Sequence, residues 1–554
     1  MNRLSYLVVL FAFVLSSHIA AQTFTRTAEI KDPAGLERGF GAIVAGVDFD
    51  GDGLPEIYAC NTNMIDGDYE LIPRLYKFEW NPNTATWDSV WGAQAPLTEQ
   101  NTWPSLAWGD VDKDGRPELF WAPINYSPYP EVPRILVYEY PGDGSDNMGV
   151  DDGFGGWEPN AKTTIVPGSG TGTNIRPVKM VISDVDGDGT DEIIFADRAA
   201  GNGPFPTTSD FHLGVMSVDD VPDNGGGLET WTLEFSGVGD INLSGTGNYW
   251  DVIVVGSYIG SFTGTGKVAL VKAEGPNSYI SLPVQSGVAG ENLSFKGMVT
   301  TPGSEPDQLN VYAGSWFSSK VYYLYKPDDA DTLQSYEVAD FAPYAVRLNG
   351  SGSGDLDGDG LPDMVFGSRY DGANTAKVPI FRLEYQGGDL TSPSSYEMSI
   401  IDSAYWDKNG DMDVVVVANI DGDPEDEVIY TQGYTRGNAN DDPMPIIVLD
   451  LQFTPVSVEK ENEIIPALFY LDQNFPNPFN PSTEIKFGLN EATNVDLRIY
   501  DALGKEVAVL ISNEFMNAGS YNVKFDASKL ASGNYVYRMT AGSNTVSKKM
   551  QLLK

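Results

Sequence analysis

Asp184-Val-Asp186-Gly-Asp188-Gly-Thr-Asp-Glu192 carries acidic side chains at its first, third, fifth and ninth positions and a glycine at its sixth. Alternate side chains of so short a loop converge on one point, and Ca²⁺ takes six to eight hard oxygen ligands at about 2.3–2.6 Å. Three alternating carboxylates, the backbone carbonyl of the seventh residue and the carboxylate of the ninth nearly fill that shell. Glycine at the sixth position permits the sharp turn, because it adopts positive φ at little cost.

The pattern recurs along the chain. Its other copies are Asp48-Phe-Asp50-Gly-Asp52-Gly-Leu-Pro-Glu56, Asp110-Val-Asp112-Lys-Asp114-Gly-Arg-Pro-Glu118, Asp355-Leu-Asp357-Gly-Asp359-Gly-Leu-Pro-Asp363 and Asn419-Ile-Asp421-Gly-Asp423-Pro-Glu-Asp-Glu427. An EF-hand begins in the same way but needs a bidentate Glu at position twelve, where this chain has Ala59, Trp121, Phe195, Phe366 and Tyr430. The residues that follow each loop, such as Ile193-Ile194-Phe195 and Met364-Val365-Phe366, are β-branched or aromatic and predict a strand. Each loop therefore joins two strands, and about five Ca²⁺ sites are expected.

The loops begin at residues 48, 110, 184, 355 and 419, and the long gap after 184 holds two worn copies, at Asp240-Ile-Asn242-Leu-Ser244 and at 297–307. That makes seven repeats of roughly 60 residues. Third strands are expected at Arg74–Trp80, Arg134–Tyr140, His212–Val218, Lys267–Ala273, Lys320–Lys326, Lys377–Tyr385 and Met444–Leu451, with fourth strands at, for example, Thr86–Trp91, Glu229–Phe235 and Tyr336–Asp340. Four strands per unit repeated seven times predict an all-β fold, a seven-bladed β-propeller. The seventh repeat runs out of chain after Leu451, so Phe24–Ile30 is expected to supply its fourth strand.

The 554 residues carry a formal charge of −44, which argues against nucleic acid or an anionic membrane surface as partner and favours bound cations. Cys60 is the single cysteine, so no intramolecular disulfide forms. Residues 1–21 have the make-up of a secretory signal peptide: Arg3, an apolar stretch from Leu7 to Leu15, and Ile19-Ala-Ala21 before Gln22. No later run approaches transmembrane length, so no transmembrane segment is expected in the mature chain.

On these loops and strands, residues 22–453 resemble the FG-GAP/VCBS repeats, the calcium-loop blades also found in integrin α-subunit propellers. A linker is expected at 454–470. Beyond it, Gln473-Asn-Phe-Pro-Asn-Pro-Phe-Asn-Pro481 leads into alternating strands at Thr483–Leu489, Asn494–Tyr500, Tyr521–Asp526 and Tyr535–Thr540, a small C-terminal β-sandwich. That lead-in, Ile499-Tyr500-Asp501-Ala-Leu-Gly504, Leu530-Ala-Ser-Gly533 and Lys548-Lys549-Met550 resemble the C-terminal sorting domain of the type IX secretion system. The resemblance covers 471–554. It implies the type IX machinery as partner and a secreted or surface-attached product.

Two function classes stay open. One is a module that binds an extracellular glycan or protein. The connections after the second strands carry Arg198, Tyr258, Trp316, Arg369, Tyr370 and Tyr434, a set suited to stacking on sugars or gripping a protein. The alternative is a calcium-dependent polysaccharide lyase or glycoside hydrolase, with the insertion Gly142–Pro167 as a place to build a catalytic face. No Gly-x-Ser-x-Gly elbow, His-Glu-x-x-His helix or phosphate loop occurs, and no catalytic residue is assigned.

Overall fold

The structure is a computed structural model. It describes residues 23–554 apart from 34–38, 63–71, 83, 96–103, 124–132, 164–176, 198–212, 223–230, 237–248, 264–266, 284, 287–292, 300–308, 316–317, 328–331, 343–346, 370–377, 405–410, 424, 434–444, 453–455, 463–468, 491–492, 501–504, 517–518, 528–529 and 543. The expected signal peptide, the worn loop at 240–244 and residues 300–307 of the worn copy at 297–307 lie outside the described residues, while 297–299 end the strand Leu293–Val299. Among those residues, no helix is long and apolar enough to cross a membrane.

Two compact units form, Phe24–Asp450 and a C-terminal unit from Leu451 onward. The first is all β and is built from four-stranded antiparallel sheets. Each sheet takes its strands in chain order: Phe40–Val47, Glu56–Asn61, Arg74–Asn81 and Thr86–Gln94 make the first, and Ser105–Gly109, Glu118–Ala122, Ile135–Glu139 and Ala161–Thr163 the second. The sixth and seventh are fused into one eight-stranded sheet through a single pair, Arg369 with Asp411. At the far edge Thr23–Ile30 lies next to Ile446–Gln452, as the missing fourth strand required. Arg26 on that strand bonds Asp402 of the sixth sheet through Nε at 2.8 Å.

The second strands are apolar on both faces because both faces are covered. Ile57 and Ala59 enter one core, which they share with Ile429 and Val448 of the last sheet. Tyr58 and Cys60 point the other way, into a core with Leu119, Trp121 and Tyr138 of the second sheet. Among the described residues seven such cores occur, each shared by two successive sheets, and the one holding Ile57 joins the last sheet to the first. The seven first strands are likewise neighbours in cyclic order, Phe40–Val47 lying beside both Ser105–Gly109 and Asp411–Ala418.

Packing here leaves no slack at Gly214. It pairs across the strands with Phe195, and a Cβ added to it would stand 2.3 Å from the Phe195 ring. Gly214→Val is therefore expected to cost about 1–3 kcal/mol, read as a lower urea midpoint. An unchanged midpoint would show that the ring can swing aside.

The C-terminal unit has two four-stranded sheets, Val456–Asn462, Gly519–Asp526, Ser482–Leu489, Tyr470–Leu471 and Glu506–Met516, Thr493–Tyr500, Gly533–Ala541, Asn544–Leu552. Their inward residues, among them Ile485, Phe487, Val495, Leu497, Tyr537 and Met539, form one core. The expected linker needs correction here. Val456–Asn462 is an edge strand paired with Gly519–Asp526, and its Val-Ser-Val alternation suits that place. Glu506–Met516 and Asn544–Leu552 are also strands that the sequence pattern did not single out.

Candidate metal centres

Each acidic loop is held by its own backbone. The first-position carboxylate accepts the N–H of the fourth residue at 2.8 Å in the Asp48 and Asp184 loops. Its other oxygen accepts the sixth-position glycine N–H at 2.9–3.2 Å in four loops. The fifth-position carboxylate takes the N–H of the seventh residue in all five. One oxygen of the ninth-position carboxylate takes the N–H of the second residue, closing the loop onto the following strand. Gly51 and Gly53 sit at φ 73° and 89° with open space where a Cβ would stand, so the backbone conformation and not crowding selects glycine there.

These bonds turn the carboxylates inward. One oxygen each from Asp110, Asp112, Asp114 and Glu118 lie within 4.8 Å of one another, and so do those of Asp184, Asp186 and Glu192, of Asp48, Asp50 and Glu56, and of Asp355, Asp357 and Asp359. Opposite ligands on a Ca²⁺ ion stand about 4.8 Å apart, twice a 2.4 Å bond. All donors are oxygens, as a hard cation requires, so several acidic clusters have the geometry to hold a metal.

The ninth position decides the electrostatics. Glu118, Glu192 and Glu427 are essentially without solvent exposure, and Oε1 of each has no hydrogen-bond partner among the described residues. Burial pushes their carboxyls up to about 9, 8 and 9 respectively, with the neighbouring loop carboxylates adding to the rise. A buried anion in this position calls for a cation.

Two loops already have one, and sequence reasoning missed it. Lys77, 1% exposed, places Nζ 2.6 Å from Asp50 Oδ2, 3.1 Å from Glu56 Oε1 and 2.9 Å from Asp146 Oδ1. Arg382, 2% exposed, places Nε 2.7 Å from Asp363 Oδ1 and a terminal nitrogen 2.9 Å from Asp357 Oδ2. Burial raises Glu56 and Asp363 too, but the adjacent cation opposes it and each stops at about 7. The available signal was a lone cation inside an otherwise apolar strand, Leu75-Tyr-Lys-Phe78 and Ile380-Phe-Arg-Leu383.

Adjacent sheets brace two of the remaining three loops. Asp112 Oδ2 accepts the Val221 N–H at 3.0 Å, and Asp186 Oδ2 accepts the Asn277 N–H at 2.6 Å.

The expected ligand face fares differently. Tyr258 is buried at 8% exposure in the core between the fourth and fifth sheets, with Lys272 and Lys326 Nζ 5.7 and 5.2 Å from its ring centre. Its place is a correction: apolar neighbours on both sheets draw the ring inward, so it is not available for stacking. Arg369 ends the strand Asp363–Arg369. Arg198, Trp316, Tyr370 and Tyr434 lie outside the described residues.

A cleft of about 780 Å³ opens elsewhere, along the outer strand Thr86–Gln94. Its lining includes Arg74, Trp91, Gln94, Asn147, Asp152 and Trp157. Part of that wall is the insertion flagged in the sequence, whose short strands Val150–Asp151 and Trp157–Glu158 pair as a hairpin. The turn between them carries Phe154 at 95% exposure. Asp152 accepts the N–H groups of Phe154 and Gly156 at 2.7 and 2.9 Å, and these bonds hold its carboxyl below the ordinary value.

Comparison with known proteins fits this division. Residues 48–121 match the family described as FG-GAP-like repeat. Residues 473–552 match the secretion system C-terminal sorting domain. No curated protein matches the chain. Among solved structures, Chaetomium thermophilum Raptor is similar at 9% identity and a TM-score of 0.39, over 80% of this chain and 29% of that one. The Pseudomonas aeruginosa periplasmic gluconolactonase is similar at 14% identity and a TM-score of 0.37, over 66% and 85%. The Streptococcus pneumoniae NanB sialidase is similar at 10% and 0.39, over 76% and 70%. Likeness at that level says nothing about activity. A sorting domain of this kind indicates export across the outer membrane, to the cell surface or beyond. The chain thus carries an FG-GAP-like repeat at 48–121 and a type IX secretion system C-terminal sorting domain at 473–552.

Proposed function

We propose that residues 22–453 form a seven-bladed β-propeller that holds Ca²⁺ in its acidic loops and binds an extracellular glycan after export. The signal peptide at 1–21 and the C-terminal β-sandwich, 471–554, serve delivery. Seven cores shared by successive sheets, the last joined to the first, support the propeller. Buried Glu118, Glu192 and Glu427 oxygens with no partner among the described residues support the calcium.

The observation that carries the ligand is the cleft beside Thr86–Gln94. Trp157 stands in its wall with Arg74, Gln94 and Asn147 as hydrogen-bonding groups, and Phe154 is exposed on the turn one residue before the lining residue Gly155. Aromatic rings flanked by such groups suit the apolar face and hydroxyl edge of a sugar. Trp91 lines the same cleft, its indole N–H buried beneath it with no partner among the described residues. Asp152 is tied into its turn with its carboxyl held below the ordinary range, so it is no general acid, which leaves Glu158 as the one other carboxyl in the lining.

A glycan array and polysaccharide pull-down of the mature chain in millimolar calcium tests this. Phe154→Ala and Trp157→Ala are each expected to weaken binding about tenfold, the equivalent of about 1.4 kcal/mol for one lost stacking contact. Binding untouched by both changes would remove the cleft from consideration. Shortened polysaccharide after incubation would favour the lyase or hydrolase reading.

A further inference from the structure

We infer that only three of the five acidic loops take calcium, those at Asp110, Asp184 and Asn419, and that the loops at Asp48 and Asp355 are closed by an internal cation instead. This rests on the calcium reading above and narrows it.

Strand register makes the substitution plain. Lys77 lies opposite Tyr58, two residues past the ninth loop position Glu56. Arg382 lies opposite Val365, two residues past Asp363. In the other three loops the same place is filled by valine: Val137 opposite Phe120, Val215 opposite Ile194, and Val448 opposite Ile429. One position on the third strand thus carries either a long cation or a short apolar side chain.

What that position does to the ninth carboxylate follows the same division. Where the cation is present, it holds an oxygen of the ninth carboxylate: Lys77 stands 3.1 Å from Glu56 Oε1, which also accepts the Phe49 N–H at 3.2 Å, and Arg382 stands 2.7 Å from Asp363 Oδ1. Where valine is present, the corresponding Oε1 of Glu118, Glu192 and Glu427 is buried and has no partner among the described residues. The third-position carboxylate agrees. Its outer oxygen is turned to Lys77 or Arg382 in the two closed loops, and to the Val221 or Asn277 backbone N–H in two of the open ones.

A divalent ion entering a closed loop would meet a fixed positive charge among its own ligands, on a Lys77 or Arg382 side chain too buried for water to screen it well. An ion entering an open loop meets no buried cation on its ninth carboxylate; Arg116, 3.6 Å from Asp114, is a third exposed and screened by water. The two closed loops gain independence from external calcium, and the three open ones make the fold depend on it.

Equilibrium dialysis of the chelator-stripped mature chain against millimolar calcium should give three ions per chain. Glu118→Gln, Glu192→Gln and Glu427→Gln should each remove one, while Glu56→Gln and Asp363→Asn remove none. Val137→Lys should lower the count to two and leave a chain whose melting temperature responds less to calcium. Lys77→Met should raise the count to four and fold only when calcium is present. Five ions on the unaltered chain, or a count that Val137→Lys leaves at three, would overturn the inference while leaving calcium loading intact. No bound calcium at all would instead remove the calcium reading itself.

Discussion

Stripping calcium from the mature chain is expected to lower the melting temperature of the repeat region by about 9 °C. An ion present at about a hundred times its dissociation constant stabilises the folded state by about 2.7 kcal/mol. Extracellular calcium modules bind at roughly 10⁻⁴–10⁻³ M, so about 10 mM calcium reaches that regime at the tighter end. Three sites then contribute about 8 kcal/mol. Unfolding entropy of about 2.1 cal/mol/K per residue over the unit Phe24–Asp450 converts this to the stated shift. Calorimetry with and without a chelator reads it directly, and an unchanged transition would mean that calcium is not structural.

The effect should depend on pH in a definite direction. In the metal-free protein, burial raises Glu118, Glu192 and Glu427 from an ordinary carboxylate to about 9, 8 and 9. A group whose pKa is higher folded than unfolded gives its full stability below the unfolded value and loses it as pH climbs through the folded one. Chelated protein should therefore weaken steadily from about pH 4.5 to about pH 9. Calcium removes that slope by keeping the same carboxylates ionised and paired, so the gap between the two melting curves widens with pH. A gap that narrows above neutrality would contradict this assignment of the buried glutamates.

Removing the last strand is expected to abolish export. Asn544–Leu552 pairs with Gly533–Ala541 along its whole length and buries Met550 and Leu552. It also clamps the proline-rich lead-in. Phe479 N–H donates to Gln551 O and Leu553 N–H to Phe479 O, both at 2.9 Å, while Gln551 N–H donates to Asn477 Oδ1 at 2.9 Å. Truncation after residue 543 exposes Phe479 as well, and three large apolar side chains returned to water cost about 5–9 kcal/mol. That equals the whole stability of an ordinary domain, about 5–15 kcal/mol. The truncated chain should accumulate in the periplasm with its repeat region still folded, as judged by protease resistance in calcium. Truncated protein in the medium at the level of the full chain would show that the signal does not need this strand.

The acidic loops were legible because their ligands are local. Spacing within nine residues brings the carboxylates together whatever the rest of the chain does, and the structure puts the Asp110, Asp112, Asp114 and Glu118 oxygens within 4.8 Å. Strand existence was legible for the same kind of reason, since residues that alternate between two cores must be apolar throughout, as the four residues between Glu56 and Asn61 are. Strands with few apolar residues were not. Val456–Asn462 and Asn544–Leu552 look like linker and tail because edge strands leave one side to solvent.

Sequence by itself determined the repeat, its all-β character, the acidic clusters and the sorting domain. Each is written in short-range patterns that need no distant partner. Tertiary structure alone decided which of those ligands are already neutralised. Lys77 lies 21 residues beyond Glu56 and Arg382 lies 19 beyond Asp363, so no spacing rule links them. Only strand register sets both cations opposite the same loop position. Tertiary packing likewise took Tyr258 out of contention by burying it, and raised a cleft beside Trp157 where the chain showed only an insertion. Long-range pairing fixes which side chains face each other, and the sign of the charge across that pairing fixes where a metal is needed.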